Sequence, residues 1–335
     1  MKAAVLEGPG RLGVRDWPDP EPGGRAVVRV HSGGICGTDL KITRGDVPSN
    51  VPLVLGHEVV GRVEVPAPGS PIPAGARVVV DPSFSCGLCR VCRRDLPHLC
   101  PHGGLMGRDD DGGFADLVMV PDTRLHVLPA EMPAADAVLL QVLSTCVHAQ
   151  SLLRPQLGQT ALVVGLGTAG LLHVQLLAAR GVRTIVAVSR SAAKRALAAE
   201  LGATSVAAPD DALAVVAEVT DGCGADIAIE CAGQTEALVQ AMTAAGYGAS
   251  VLIFGTIAPA ADGMPTYEWY RKELTLLNTR AARPRDFTAA ISAVRDGLVR
   301  PARLVTSSYP LDEIEAAVAA AARPGEIKVM LTVAD

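Results

Sequence analysis

The sequence predicts an α/β protein with a doubly wound parallel sheet in one domain and a β-rich second domain. Three observations carry this. From about residue 158, apolar strand-like runs alternate with helical stretches. A glycine loop joins the first of those strands to the first helix. Before residue 140, short β-branched runs are separated by Gly/Pro clusters.

In chain order, AVVRV (26–30), VVGRVEV (59–65), RVVVD (77–81) and FADLVMV (114–120) predict strands, with PDPEPGG and PAPGSPIPAGA as breaks. These fit an antiparallel, barrel-like arrangement carrying loops. TALVVG is then a strand and GLLHVQLLAARG a helix; TIVAVS is a strand and RSAAKRALAAELGA a helix. Strand-like pieces follow at TSVAA, DIAIE, ASVLIFG and ELTLLN. Six strands alternating with helices argue for a parallel, doubly wound sheet. The tail PLDEIEAAVAAAARPGEIKVMLTV predicts a helix, a Pro-Gly break and a strand that returns to the first domain. The boundaries fall at residues 1–141 plus 282–335 for the β-rich domain and 142–281 for the parallel sheet.

The bulk properties narrow the function classes. The 335 residues suffice for two domains. A net charge of −5 and 3% aromatic residues argue against nucleic-acid binding. No run of about 18 apolar residues predicts a membrane span, and Glu7 and Arg11 interrupt any signal-like start. A cytoplasmic location follows as the expectation. There, eight cysteines are better read as metal ligands, core residues or nucleophiles than as disulfides.

GLGTAG at 165–170 fits G-x-G-x-x-G with Gly165, Gly167 and Gly170. The motif alone is weak, but here it follows an apolar strand and opens a helix. Gly165 permits the turn, Gly167 lets a pyrophosphate approach the backbone, and Gly170 lets helix and strand pack closely. A dinucleotide is expected on the helix N-terminus. NAD-specific versions carry Asp or Glu at the end of the second strand. This chain has Ser189-Arg190, with Lys194 and Arg195 beyond. A hydroxyl and a planar cation suit a 2′-phosphate, so NADP(H) is favoured over NAD(H). The plainer reading is a solvated basic helix start.

Cys86, Cys89, Cys92 and Cys100 are spaced C-x2-C-x2-C-x7-C. Four thiolates can close a tetrahedral zinc site and saturate the metal. Such a site stiffens a loop and leaves no place for substrate. An open site needs other ligands. GICGTDL holds Cys36 and LGHEVVG holds His57 and Glu58. Thiolate, imidazole and carboxylate are all zinc ligands, although by local pattern alone these residues are equally well core or surface groups.

GGICGTDL, LGHEVVGRV, the four-cysteine lobe, GGFADLVMVP, the GLGTAG loop and the ECAG strand end occur in one order. Together they resemble the zinc-containing medium-chain dehydrogenase/reductase family, which includes alcohol, sorbitol and threonine dehydrogenases. The resemblance implies a Rossmann domain and a GroES-like catalytic domain. It implies that Cys36 and His57 are ligands of a catalytic zinc, with Glu58 able to bind or approach it. It implies that Thr38 takes the alcohol proton and that Asp39 steadies the metal-binding imidazole. It implies that Lys328 meets the cofactor pyrophosphate. With the cysteine lobe, two zinc ions per chain are expected. A homodimer or homotetramer is also implied.

The chain departs from the family pattern twice. Gln141, in QVLSTCVHA, stands where Cys or Glu is usual, and an amide is a weaker zinc ligand. Glu58 or water is then expected to complete the site, with Gln141 coordinating or holding that water. Cys146, five residues on, is read as packing. Lys41 stands where relatives often carry a relay histidine, as a proton carrier or simply a solvated lysine. Arg280 reaches the nicotinamide or substrate, or else sits at the domain edge. The expected reaction is reversible hydride transfer between an alcohol and the nicotinamide, with zinc polarising the oxygen. Few aromatics in the loops, and Arg108, Asp109 and Asp110 beyond the cysteines, tilt the substrate towards a polar polyol, cyclitol or amino alcohol. The rivals are a quinone or enoyl reductase of the same superfamily and a non-catalytic NADP(H)-binding sensor.

Overall fold

The computed structural model describes residues 1–21, 23–257 and 263–333. The chain divides into two compact units. One comprises Met1–Ser144, Ala281–Arg295 and Arg300–Asp335; the other comprises Thr145–Arg280 and Asp296–Val299. The first division falls inside the helix Leu140–Leu153.

The second unit is a six-stranded sheet. Its strands lie in the order Ser205–Ala207, Thr184–Val188, Thr160–Val164, Ala225–Glu230, Ala245–Ile253 and Thr275–Asn278. Every pair is parallel. Parallel strands are covered on both faces, which is why their sequences are apolar runs rather than alternations. Leu162, Val186, Ala228 and Val251 are fully buried in this core. The order reverses beside the first strand, so the ligand-binding crevice of such a sheet opens at the ends of Thr160–Val164 and Ala225–Glu230. The helix Thr168–Ala179 packs over this point. Gly170 to Leu177 are buried on all sides, including His173 and Gln175.

The first unit is mostly antiparallel. A seven-stranded sheet runs Leu125–Val127, Arg77–Val80, Glu58–Val65, Ala26–Ile35, Lys328–Thr332 and Val305–Pro310, with Leu117–Val120 also paired to Ala26–Ile35. The C-terminal strand does return here, with Val329 opposite Ile35. Three features differ from the sequence reading. Lys2–Leu6 and Leu12–Asp16 form a hairpin that the pattern did not announce. Val305–Pro310 adds a strand parallel to Lys328–Thr332, so this unit is not wholly antiparallel. The strand read as 114–120 begins at Leu117, because the Phe114 N–H bonds Leu55 and its carbonyl accepts from Ala4 outside that ladder.

Candidate metal centres and nucleotide loop

The cysteine lobe gathers its four sulfurs into one cluster. The Sγ separations are 3.5 Å for Cys89–Cys92, 3.6 Å for Cys86–Cys100, 3.8 Å for Cys89–Cys100 and 4.0 Å for Cys86–Cys92. Tetrahedral zinc with bonds of about 2.3 Å needs sulfurs about 3.8 Å apart. The residues therefore fit that ion. Turns at Cys86–Cys89 and Cys89–Cys92 aim backbone N–H groups at the sulfurs, at 3.3 and 3.4 Å. N–H donors from Leu88 and Cys89 bring the Cys86 thiol down to about 6. Such donors favour the Cys86 thiolate, whereas desolvation and the neighbouring sulfurs push the Cys92 thiol up to about 11.

The second cluster brings together Cys36, His57 and Glu58, whose ligand atoms all lie within 4.8 Å of one another. Cys36 follows the strand Ala26–Ile35 and caps the helix Gly37–Arg44. His57 precedes the neighbouring strand and Glu58 opens it, where Gly34 faces Glu58 across the ladder. Asp39 lies in the first turn of the helix and is fully buried. Its Oδ2 accepts from the Cys36 N–H at 2.8 Å, and its Oδ1 lies 3.1 Å from His57 Nδ1. One carboxylate thus fixes both ligand-bearing segments. It holds the His57 proton on Nδ1 and leaves Nε2 as the coordinating nitrogen. Burial opposes a charged His57, but Asp39 and Cys36 outweigh it and its pKa stands well above the usual value. A cation beside this imidazole is stabilised by the same two groups.

Glu58 is engaged from the other side. The Lys328 ammonium donates to its Oε1 at 2.8 Å and its Oε2 at 2.7 Å, and to the Ile35 carbonyl at 3.2 Å. The pair is buried, with Glu58 fully covered and Lys328 3% exposed. Burial disfavours the ammonium, yet Glu58, Cys36 and Asp39 raise the Lys328 pKa. The sequence reading expected Lys328 to meet the cofactor pyrophosphate; here its ammonium bonds Glu58 and the Ile35 carbonyl. An ammonium has three protons, and all three are used inside the first unit. The pair also explains the glycine before Ile35. A Cβ on Gly34 would lie 2.1 Å from Glu58 Oε2. Neither the Glu58–Lys328 pairing nor the role of Gly34 was readable from the sequence. The GG of GGICGTDL was the available signal.

Thr38 and Lys41 lie half-buried on the helix that Cys36 caps, three residues apart and so on one face. Gln141 is buried in the first turn of Leu140–Leu153, and its carbonyl accepts from Ser144 Oγ at 2.6 Å. Cys146 is fully buried and directed at the Ala169 carbonyl, 3.8 Å away in the second unit, as a packing residue would be.

In the second unit the three glycines of GLGTAG differ in their surroundings. Gly165 adopts φ +96°, and a Cβ there would meet the Ala232 nitrogen at 2.7 Å. A Cβ on Gly170 would lie 1.9 Å from the Gly165 carbonyl. Around Gly167, which caps the helix, a Cβ would meet nothing within 4 Å. The first and third glycines are needed for packing; the second faces open space at a helix N-terminus, which suits a pyrophosphate. Glu230, at the end of the adjacent strand, holds the facing loop. Its Oε1 accepts from the N–H groups of Ala232 and Gly233, both at 2.6 Å. The sequence reading noticed ECAG without giving Glu230 this task. Ser189 and Arg190 follow the second strand, half-buried and exposed respectively. Arg195 is spent on bracing them, donating to the Ser189 carbonyl at 2.6 Å and the Arg190 carbonyl at 3.1 Å. The Lys194 N–H caps the helix start on Ser191 Oγ at 3.4 Å. Arg280 is exposed after the last strand.

Comparison with known proteins agrees with this architecture. Residues 22–130 match the family model of the alcohol dehydrogenase GroES-like domain, and residues 169–296 match that of zinc-binding dehydrogenases. The chain is 30% identical over 343 aligned positions to a sorbitol dehydrogenase of Halalkalibacterium halodurans, covering 100% of both chains. A Sinorhizobium meliloti 1021 protein classed as a zinc-binding dehydrogenase, solved with NADP, superposes with a TM-score of 0.93 at 32% identity over 99% of each chain. A short chain alcohol dehydrogenase of Escherichia coli CFT073, solved with NADH, gives 0.92 at 27% identity over 99% of each. Likeness along the whole length, in both units, places the chain in the zinc-containing medium-chain dehydrogenase/reductase family. It is an enzyme of the alcohol dehydrogenase type, dependent on zinc and a nicotinamide cofactor.

Proposed function

We propose that this enzyme interconverts a polar secondary alcohol and its carbonyl, with NADP(H) as cofactor and two zinc ions per chain. The substrate class is a polyol, cyclitol or amino alcohol. The observation that carries the reading is the shared carboxylate of Asp39, which holds Cys36 at 2.8 Å and His57 at 3.1 Å. That arrangement presents a thiolate and an imidazole to one point, with the imidazole tautomer already set. When bound there, zinc supplies Lewis acidity towards the substrate oxygen, and the nicotinamide accepts or returns the hydride.

The remaining steps belong to the chain's own side chains. Thr38 takes the alcohol proton, and Lys41, one turn along the same helix face, relays it towards solvent. Glu58 stays on Lys328 within reach of the metal, and Gln141 or water completes the ligand set. The cysteine lobe keeps its loop rigid and takes no part in the chemistry. Gly165, Gly167 and Gly170 shape the pyrophosphate site, Ser189 and Arg190 meet the 2′-phosphate, with Lys194 beside them, and Arg280 reaches towards the nicotinamide or substrate. Lack of an acid after the second strand supports NADP(H), as does the S. meliloti structure. The E. coli structure with NADH is the counterexample that makes the cofactor worth measuring. The reading includes a cytoplasmic homodimer or homotetramer, as the family resemblance implies. No helix among the described residues is long and apolar enough to cross a membrane.

The test gives purified protein NADP+ or NAD+ with a panel of polyols, cyclitols and amino alcohols, with and without a chelator. Formation of reduced nicotinamide that favours NADP+ and disappears with chelator supports the reading. Cofactor binding without turnover across the panel would instead indicate a sensor.

A further inference from the structure

We propose that the strand face bearing Arg29, Arg62 and Arg77 is a binding site for a phosphoryl-type oxyanion, independent of the metal and nucleotide sites. In the antiparallel register Arg29 lies directly opposite Arg62, and Arg62 directly opposite Arg77. Directly opposed residues point to the same face, with Cβ atoms about 4.5–5.5 Å apart. The three arginine side chains therefore leave the sheet on one face, from three neighbouring strands. Like charges in that arrangement repel and weaken a sheet. The row is the more unusual in a chain whose net charge is −5.

The available partners do not neutralise it. Glu64 pairs with Arg29, the Arg29 Nη2 donating to Oε1 at 2.9 Å. Arg62 instead donates to the Gly75 carbonyl at 3.0 Å. Arg77 donates to the carbonyls of Ala130 and Met132, each at 2.8 Å, and of Pro129 at 3.4 Å. Carbonyl oxygens orient a guanidinium without cancelling its charge. Among the described residues neither Arg62 nor Arg77 has a carboxylate in ion-pair contact; Glu131 acts on Arg77 only through space. His31 sits at the irregularity between Val30 and Ser32 beside this row. Its pKa is lowered, first by burial and then by Arg62, Arg77 and Arg29 together. All three cations thus act through space on one half-buried imidazole. The sheet holds them in place at its own expense, and an oxyanion seated between Arg62 and Arg77 relieves the repulsion through charge-assisted bonds.

The ligand is either free phosphate or a phosphate ester, and the same experiment separates the two. The full-length, zinc-loaded protein is titrated with inorganic phosphate and, separately, with glycerol 3-phosphate at constant ionic strength, while the His31 ring protons are followed by NMR. The anion's charge beside His31 favours the imidazolium, so its titration midpoint should rise by about one pH unit. The rise should saturate and should be lost in Arg62→Gln, whose dehydrogenase activity stays unchanged. A response to both ligands identifies the phosphoryl group itself; a response only to the ester identifies an organic phosphate. No saturable rise with either ligand, a midpoint that follows chloride equally well, or a shift that persists in Arg62→Gln would overturn the proposal.

Discussion

Replacing Asp39 by Asn tests how the open metal site is organised. Asp39 is fully buried, and its two oxygens serve two segments: the Cys36 N–H at 2.8 Å and His57 Nδ1 at 3.1 Å. Asn keeps the shape but has only one oxygen. If that oxygen keeps the Cys36 N–H, the amide N–H2 faces His57 Nδ1, which must then be unprotonated. The proton moves to Nε2, the nitrogen needed for the metal. If the amide turns the other way, the Cys36 N–H loses its acceptor and the thiolate segment loosens. Either outcome weakens metal binding. Partners of this kind are worth about 10- to 100-fold in metal affinity, or about 1.4–2.7 kcal/mol. The assay is zinc retention against a graded chelator, which reads the open site without relying on turnover. The cysteine lobe, with four thiolates of its own, should keep its ion throughout. Zinc affinity at the open site within twofold of wild type would refute the argument that Asp39 sets the His57 tautomer.

Three further outcomes follow from other residues. Lys328→Met leaves Glu58 buried without its ammonium, which should destabilise the protein by about 3–5 kcal/mol in denaturant unfolding; a loss under 1 kcal/mol, about the worth of an exposed pair, would mean that the pair is solvated. Arg190→Ala should weaken NADP+ binding by about 1 kcal/mol, roughly fivefold, while NAD+ is unaffected, since the side chain is exposed and screened; equal losses for both would remove Arg190 from the 2′-phosphate. Asp81 is buried, and desolvation raises its carboxyl from 3.8 to about 6 despite the Ser83 N–H and Arg124. The folded state therefore holds the proton more tightly than the unfolded chain does. Stability should fall as pH rises from about 4 to 6, by about 3 kcal/mol; Asp81→Asn should abolish that slope, and an unchanged slope in the variant would assign it elsewhere.

Much of this fold was legible because its signals are local. The six parallel strands announce themselves as apolar runs, and GLGTAG lies within six residues between a strand and a helix. The cysteine lobe is equally compact, fifteen residues from Cys86 to Cys100. Features made by distant residues were not legible. Glu58 and Lys328 are 270 positions apart, and nothing near either one names the other. The lysine was instead assigned to the cofactor by resemblance. The Lys2–Asp16 hairpin was missed because KAAVL and LGVRD show little alternation. The start of FADLVMV was misplaced because Phe114 pairs its backbone with Leu55 and Ala4 rather than with the ladder that begins at Leu117. The row of Arg29, Arg62 and Arg77 exists only in the register of three strands, and register is invisible in a single sequence.

The most direct measurement is the zinc content of the purified enzyme beside that of Cys36→Ala. Two ligand clusters, Cys86–Cys89–Cys92–Cys100 and Cys36–His57–Glu58, lead to an expected content of about two zinc per chain in the wild type. The variant should retain about one, keep its fold and lose dehydrogenase turnover. A wild type carrying only about one zinc, or a variant that keeps both ions and its activity, would contradict a catalytic metal at Cys36 and His57.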